Sequence, residues 1–225
     1  MNRGTHTARL SHWSLTKRND HYWIISDACS MPPQNIDTPL AGLRLIQPQV
    51  FRDERGFFLE SYHQRALAEA GVQAEFVQDN HSRSTRGVLR GLHFQDMSAP
   101  MAKLVRCTRG VIFDVAVDLR VGSPTFGRWF GVELTEDNQT QMYIPVGFAH
   151  GFVVLSDFAD LQYKCTNYYT PQAEGAIRWD DGDIGIDWPV KEPVLSRRDQ
   201  TAMSLQQYCR APAFTMTSSA SLHDS

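Results

Sequence analysis

Residues 87–94, with the sequence Gly-Val-Leu-Arg-Gly-Leu-His-Phe, place one histidine, His93, at the end of an apolar run. Arg86 and Arg90 lie just before it, so fixed positive charge stands beside the imidazole. An imidazole in this setting is suited to proton transfer on an anionic substrate. The alternative for a lone histidine on an apolar face is a core residue whose ring is satisfied by a backbone carbonyl.

Short β-strands dominate the chain around this histidine. Residues 111–119 are mostly apolar, residues 129–134 alternate, and residues 152–155 form a buried run. Gly, Pro, Asn and Asp clusters separate such segments every ~8–12 residues, which is typical of a sandwich or barrel. One helix is predicted at residues 64–70, followed by Gly71 as a C-cap. The sequence therefore predicts an all-β antiparallel jelly roll with a few short helices.

Length and charge limit the classes of function. The 225 residues carry a net charge of -3, which does not favour a general binder of nucleic acid or membranes. No apolar stretch approaches the ~20 residues that cross a bilayer. The four cysteines are scattered without metal-ligand spacing, which indicates free thiols in the cytoplasm.

We expect one folded domain at residues 39–210. Residues 1–38 are interpreted as a flexible extension or the product of a start codon assigned too early, and residues 211–225 as a disordered tail.

Several common catalytic motifs are missing. The chain has no GxGxxG, GxxxxGK[ST] or GxSxG, so a dinucleotide fold, a P-loop and a nucleophile elbow are unsupported. Jelly-roll enzymes that hold a metal commonly present His-x-His with a carboxylate, but Gln95 stands two residues after His93. A single imidazole without a second ligand makes a poor transition-metal site. Metal-free acid–base chemistry is therefore predicted.

Four further segments carry polar side chains that could meet His93 in the folded chain. Arg55 and Glu60 lie in an aromatic-rich strand, for which an exposed salt-bridge ladder is the alternative. A second histidine, His150, lies among glycines, and another strand holds three tyrosines that could simply be core aromatics. A polar cluster at 78–82 could be an ordinary turn. The four segments are residues 51–60, 76–82, 144–152 and 161–169.

Together these segments resemble the dTDP-4-dehydrorhamnose 3,5-epimerase family. The matching stretches keep the family's order and spacing over about residues 39–205. They are Asp-Glu-Arg-Gly-Phe-Phe (53–58), Gln-Asp-Asn-His-Ser (78–82), Val-Leu-Arg-Gly-Leu-His-Phe-Gln (88–95), Lys-Leu-Val-Arg (103–106), Asp-Val-Ala-Val-Asp-Leu-Arg (114–120), Ser-Pro-Thr-Phe-Gly (123–127), Gly-Phe-Ala-His-Gly-Phe (147–152), Ile-Arg-Trp-Asp-Asp (177–181) and Leu-Ser-Arg-Arg-Asp (195–199). The resemblance implies a cupin-type jelly roll, a homodimer and no cofactor.

The resemblance also implies roles for individual residues. His93 corresponds to the general base, Asp199 to its carboxylate partner and Tyr163 to an acid on the opposite face of the sugar. Lys103 and His150 match residues that line the sugar and phosphate site. The remaining expected nucleotide-sugar contacts are Arg55, Glu60, Gln78, Asp79, Asn80, Arg90, Tyr168, Glu174 and Arg198, the last of which stands where a lysine is common.

The implied reaction inverts C3 and C5 of dTDP-4-dehydro-6-deoxy-D-glucose to give dTDP-4-dehydro-L-rhamnose. The C4 carbonyl acidifies both C–H bonds, so inversion needs a base on one face, an acid on the other and a donor near the enolate oxygen. Alternatives are a 3-epimerase or a 3,4-ketoisomerase, a non-catalytic sugar-binding jelly roll, and a metal-dependent cupin oxygenase. Retention of Tyr163 favours the 3,5-epimerase, and the missing second metal ligand disfavours the oxygenase.

Overall fold

The structure is a computed structural model that describes residues 33–216, and thirteen strands form in this part of the chain. The strands are β1 Gln34–Asp37, β2 Arg44–Gln47, β3 Val50–Asp53, β4 Gly56–Leu59, β5 Gln78–Thr85, β6 Leu89–Gln95, β7 Lys103–Arg109, β8 Val111–Asp118, β9 Trp129–Thr135, β10 Gln141–Ile144, β11 Phe148–Val154, β12 Phe158–Cys165 and β13 Glu174–Ala176. The helices are α1 Gln64–Glu69, α2 Arg197–Gln200 and α3 Leu205–Tyr208, with a 3-10 turn at Pro171–Ala173.

Two antiparallel sheets face each other across the core. The six-stranded sheet has the order β1-β2-β10-β7-β12-β5, the five-stranded sheet has the order β13-β6-β11-β8-β9, and β3 and β4 form a separate hairpin. The facing sides meet through buried apolar residues such as Val105 and Leu161 of the first sheet and Ala116 and Phe152 of the second. This architecture confirms the predicted all-β jelly roll with a few short helices.

The outer side of the five-stranded sheet is covered by the end of the chain. Phe214 and Tyr208 are buried against Phe94, and the backbone N–H of Val121 donates to the carbonyl of Phe214 at 3.0 Å. The prediction of a disordered tail is therefore wrong for residues 211–216, because one aromatic side chain in a polar stretch fills a gap in a second apolar cluster. Residues 217–225 lie outside the described part of the chain.

The folded part begins before Leu40, at the strand β1. All four residues of β1 are exposed, and they pair antiparallel with β2 through the backbone. An edge strand of this kind has no buried face, so hydrophobic periodicity could not reveal it. The predicted extension at residues 1–38 thus ends too late, and its first 32 residues lie outside the described part.

The helix α1 agrees with the sequence prediction. The Nδ1 atom of His63 caps its N-terminus by accepting from the backbone N–H of Ala66 at 3.2 Å. Gly71, with φ of +86°, follows the last turn in the left-handed conformation that favours glycine. Leu67 of α1 covers part of the outer side of the six-stranded sheet. Within residues 33–216, no helix has the length and apolarity that crossing a membrane requires.

Candidate active site

Strand alternation puts different chemical groups on the facing sides of the two sheets. On the five-stranded sheet, His93 of β6 lies opposite His150 of β11 in register. On the six-stranded sheet, Lys103 of β7 lies opposite Cys165 of β12, and its Nζ is 5.8 Å from the centre of the Tyr163 ring. A ligand between the sheets would meet imidazoles on one side and a lysine and a tyrosine on the other.

His93 forms a dyad with Asp199, which is 106 residues away in sequence and buried. Its Nε2 lies 2.6 Å from Asp199 Oδ1. Asp199 sits in the first turn of α2, where the N-cap Ser196 donates its hydroxyl to Asp199 Oδ2 at 2.7 Å. Burial alone would raise the pKa of Asp199, but the hydrogen bonds from His93 and Ser196 outweigh it and lower that pKa. Because the carboxylate stays ionised, it accepts from Nε2–H and leaves Nδ1 as the basic nitrogen.

The electrostatic surroundings keep His93 ready to accept a proton. Burial lowers the pKa of His93, and the positive charges of Arg198 and Lys103 lower it further, against the opposing effect of Asp199. The folded-state pKa therefore lies below the usual value for histidine. At neutral pH the imidazole is uncharged, which is the form that a general base requires.

The opposite wall carries an acid and a cation. Burial raises the pKa of Tyr163, so its hydroxyl keeps its proton at neutral pH and can donate it. Burial lowers the pKa of Lys103, while the nearby acidic groups Cys165, Asp114 and Glu174 counter that effect. The two side chains thus suit a proton donor and an oxyanion partner.

Strand β5 explains which members of the polar cluster at 78–82 reach the interior. Gln78 and Asn80 face inward, and the Gln78 amide donates to Asn80 Oδ1 at 3.2 Å. Asp79 faces outward, where it accepts from Lys164 Nζ at 2.8 Å. Asp79 therefore does not line the space between the two sheets, because successive side chains of a strand point to opposite faces. Its contact with the ligand stays a prediction.

A network of charged groups lies beside the dyad. The Arg198 guanidinium donates two hydrogen bonds to the Glu174 carboxylate at 2.6 and 2.7 Å. The Tyr169 hydroxyl donates a hydrogen bond to Glu174 Oε2 at 2.8 Å. This contact was not predicted from the sequence, because only Tyr163 and Tyr168 of the three tyrosines were singled out.

The side chain of Tyr168 is 64% exposed and free to stack on a ligand. On β6, Arg90 donates from Nε to Ser84 Oγ at 3.0 Å.

Two predicted contacts are not brought to the dyad within one chain. Arg55 lies at the turn of the β3–β4 hairpin and pairs with Asp53, and Glu60 is exposed just after β4. The hairpin presents three exposed aromatic residues. These are Phe51, Phe57 and Phe58, which are 49%, 53% and 52% exposed.

No metal-ligand set surrounds His93 in the part of the chain described. No group of three His, Cys, Asp or Glu side chains in residues 33–216 is arranged to hold a metal ion. Gln95 is engaged with the backbone: its amide donates to the Ala99 carbonyl at 2.8 Å, and its oxygen accepts from Thr170 N–H at 2.7 Å.

The sequence of this chain matches a known family over most of its described length. The family model for dTDP-4-dehydrorhamnose 3,5-epimerase matches residues 37–207. This chain belongs to that family. It is therefore an epimerase, and its fold is the cupin-like jelly roll of these enzymes.

Relatives in this epimerase family cover most of the chain. It is 58% identical to dTDP-4-dehydrorhamnose 3,5-epimerase from Pseudomonas aeruginosa over 69% of this chain and 87% of the relative. It is 53% identical to the enzyme of the same name from Salmonella typhimurium over 76% and 95%. The crystal structure of dTDP-6-deoxy-D-glucose-3,5-epimerase from Legionella pneumophila, in complex with dTDP-4-keto-L-rhamnose, is 46% identical with a TM-score of 0.78, over 82% of this chain and 99% of that one.

Other relatives of this epimerase invert one centre. The chain is 44% identical to dTDP-4-dehydrorhamnose 3-epimerase from Streptomyces niveus over 75% of this chain and 82% of the relative. A double mutant of a 3'-monoepimerase from Streptomyces bikiniensis, solved in complex with dTDP, is 34% identical with a TM-score of 0.75, over 80% of this chain and 92% of that one. Its substituted histidine and tyrosine are separated by the same interval in sequence as His93 and Tyr163.

Proposed function

We propose that this chain inverts C3 and C5 of dTDP-4-dehydro-6-deoxy-D-glucose and so forms dTDP-4-dehydro-L-rhamnose. The observation that carries the proposal is the dyad of His93 on the five-stranded sheet with Asp199 of α2, which lies across from Lys103 and Tyr163 on the six-stranded sheet. The names of the relatives and the ligand of the Legionella structure support the same substrate class.

In the proposed mechanism, His93 Nδ1 removes the proton from C3 or C5. The C–H electron pair moves into the ring to form an enolate, whose negative charge on O4 is balanced by the Lys103 ammonium. Tyr163 then returns a proton to the same carbon from the opposite face, which inverts the centre. His93 loses its proton and Tyr163 regains one before the second centre reacts. The proposal needs no metal or redox cofactor.

The hairpin makes a homodimer part of the proposal. Its aromatic residues are too exposed for a lone chain, and Arg55 lies at its tip away from the dyad of the same chain. In a two-fold dimer the same surface serves both copies, so the hairpin of each copy could reach the site of the other. This arrangement would bring Arg55 and Glu60 to the diphosphate and nucleoside as the sequence predicts.

Mixed dimers test that arrangement. Arg55→Ala and His93→Ala are each expected to be inactive alone when the substrate is dilute. Subunit exchange between them should restore about a quarter of wild-type activity, because half of the dimers then hold one intact site of two. A monomer by light scattering, or no recovery after exchange, would contradict the shared site.

The reaction is tested by incubating the protein with dTDP-4-dehydro-6-deoxy-D-glucose in deuterated water. NMR should show deuterium at both C3 and C5 together with inverted coupling patterns. The second candidate is a 3-epimerase, which is favoured by the Streptomyces relatives and would label C3 alone. A sugar-binding protein without catalysis would incorporate no label.

A cytoplasmic location completes the proposal. Cys107, Cys165 and Cys209 are free thiols. Free thiols are the usual state of cysteine in a reducing compartment, so they support this location.

A further inference from the structure

Two aspartates of the 114–120 motif have no role in the mechanism above. Asp114 and Asp118 lie on the same strand, β8, and both are fully buried. Fully buried carboxylates are costly unless they are paired and hydrogen-bonded. The partners of each aspartate therefore indicate its role.

Asp118 is a structural residue. Its Oδ1 accepts from the backbone and side-chain nitrogens of Arg120 at 2.9 and 2.8 Å. Its Oδ2 accepts from Arg120 Nη2 at 2.8 Å, and from the hydroxyls of Ser123 and Thr125, both at 2.7 Å. Both carboxylate oxygens are used to fix the loop after β8.

Asp114 has a different environment. Its Oδ1 lies 2.7 Å from Nε2 of His150, and its Oδ2 is buried without a hydrogen-bond partner in the described part of the chain. The carboxylate accepts from Nε2–H, which leaves Nδ1 as the unused nitrogen of His150. Because His150 stands opposite His93, this second dyad lies beside the first on the same wall.

Asp114 also faces the six-stranded sheet, because strand alternation puts it on the same side of β8 as the core residues Ile112 and Ala116. The charged and titratable groups around Lys103 come from several elements. Asp114 on β8 and Glu174 on β13 are anions that raise the pKa of Lys103, Cys165 on β12 acts in the same direction, and Arg198 on α2 lowers it. Burial remains the largest effect, so each nearby anion matters for the charge on Lys103.

We propose that Asp114 is a positioning residue of the active site, which orients His150 toward the sugar and supplies fixed negative charge to Lys103. The inference rests on the proposed function and deepens it. Asp114 does not touch the substrate, because it is fully buried behind His150. In this proposal it acts through His150 and Lys103, which contact the substrate.

The first test compares Asp114→Asn with Asp118→Asn, a matched substitution on the same strand with the same burial. Asp114→Asn should lower kcat at least about tenfold and change KM less than about threefold, because the substrate contacts remain. Its alkaline limb in the pH profile of kcat should move to lower pH, since removal of an anion makes Lys103 lose its proton earlier. Asp118→Asn should lower Tm and leave the limb in place. Equal profiles for the two variants would overturn the proposal.

The second test needs neither a variant nor turnover. NMR spectra of the wild-type protein with 15N-labelled histidine should show His150 protonated at Nε2. Among the histidine ring N–H signals, that of His150 should be the least broadened by exchange with water. A His150 ring protonated only at Nδ1 would overturn the orientation proposed. If the wild-type protein epimerised no dTDP-4-keto sugar, the proposed function would fail, while this measurement would still decide whether Asp114 orients the His150 ring.

Discussion

Replacement of Asp199 by asparagine should separate the charge of the dyad from its shape. The side chain is buried and 2.6 Å from His93 Nε2, so the amide fits the same space with almost no change in volume. Ser196 donates its hydroxyl to Asp199 Oδ2 and accepts the Asp199 backbone N–H, so the amide oxygen is favoured on the side of Ser196. The amide NH₂ then points at His93 and favours the tautomer protonated at Nδ1, which cannot act as a base.

The size of the effect follows from two contributions. Loss of a hydrogen bond to a charged group is worth about 1.5–3 kcal/mol, or roughly a 10- to 150-fold change in rate. The wrong tautomer in a comparable histidine–aspartate pair lowers kcat about 10⁴-fold. We therefore expect kcat for Asp199→Asn to fall between about 10²- and 10⁴-fold. KM should change little, because Asp199 is shielded from the substrate by His93.

The measurement is the rate of solvent deuterium uptake at C3 and C5 of the keto sugar, followed by NMR alongside steady-state turnover. Ser196→Ala is the matched control, since it removes one hydrogen bond from Asp199 and keeps the charge. It should lower kcat only several-fold. An Asp199→Asn enzyme with more than about a tenth of wild-type kcat, a loss under ~1.4 kcal/mol, would refute the dyad as the base.

Four further outcomes are expected. His93→Ala should lose more turnover than Asp199→Asn while melting temperature and dTDP binding persist, and activity above about a tenth of wild type would remove His93 from the mechanism. Tyr163→Phe should still exchange solvent deuterium into the substrate but form little doubly inverted sugar, and normal product stereochemistry would point to another donor. The acid limb of kcat/KM should lie below about pH 6.5, because burial lowers the pKa of His93 and activity is lost only when the free enzyme's base is protonated. Dialysis against EDTA should not change the rate, and a loss restored by a divalent cation would contradict a metal-free site.

Local patterns in the sequence predicted most of the fold. Alternation identified β9, because a strand with one face in the core repeats every two residues, and a mostly apolar run identified β8. The helix α1 was predicted within one residue of its end, because Gly71 supplies the left-handed stop. The exposed strand β1 and the packed segment around Phe214 were missed, since pairing and burial of single elements depend on the rest of the chain.

The candidate site was likewise predicted only in part from the sequence. Resemblance to a family pointed to His93, Asp199, Tyr163 and Lys103, and the structure brings these groups together. It did not distinguish Asp79 from its neighbours, because the direction of a side chain depends on the register of β5 with β12. Asp114 was hidden within an apolar strand, where only its partner reveals its role.

The two-sheet architecture gives a physical reason why inversion suits this fold. Facing sheets in a sandwich lie about 10 Å apart, which leaves room for one sugar ring with a hydrogen-bonding group on each side. His93 and its buried partner Asp199 belong to the five-stranded sheet and to α2, whereas Tyr163 and Lys103 belong to the six-stranded sheet. A proton removed toward one sheet can therefore be replaced from the other without rotation of the ring. An enzyme with base and acid on the same sheet would return the proton to the face it left, and the configuration would be retained.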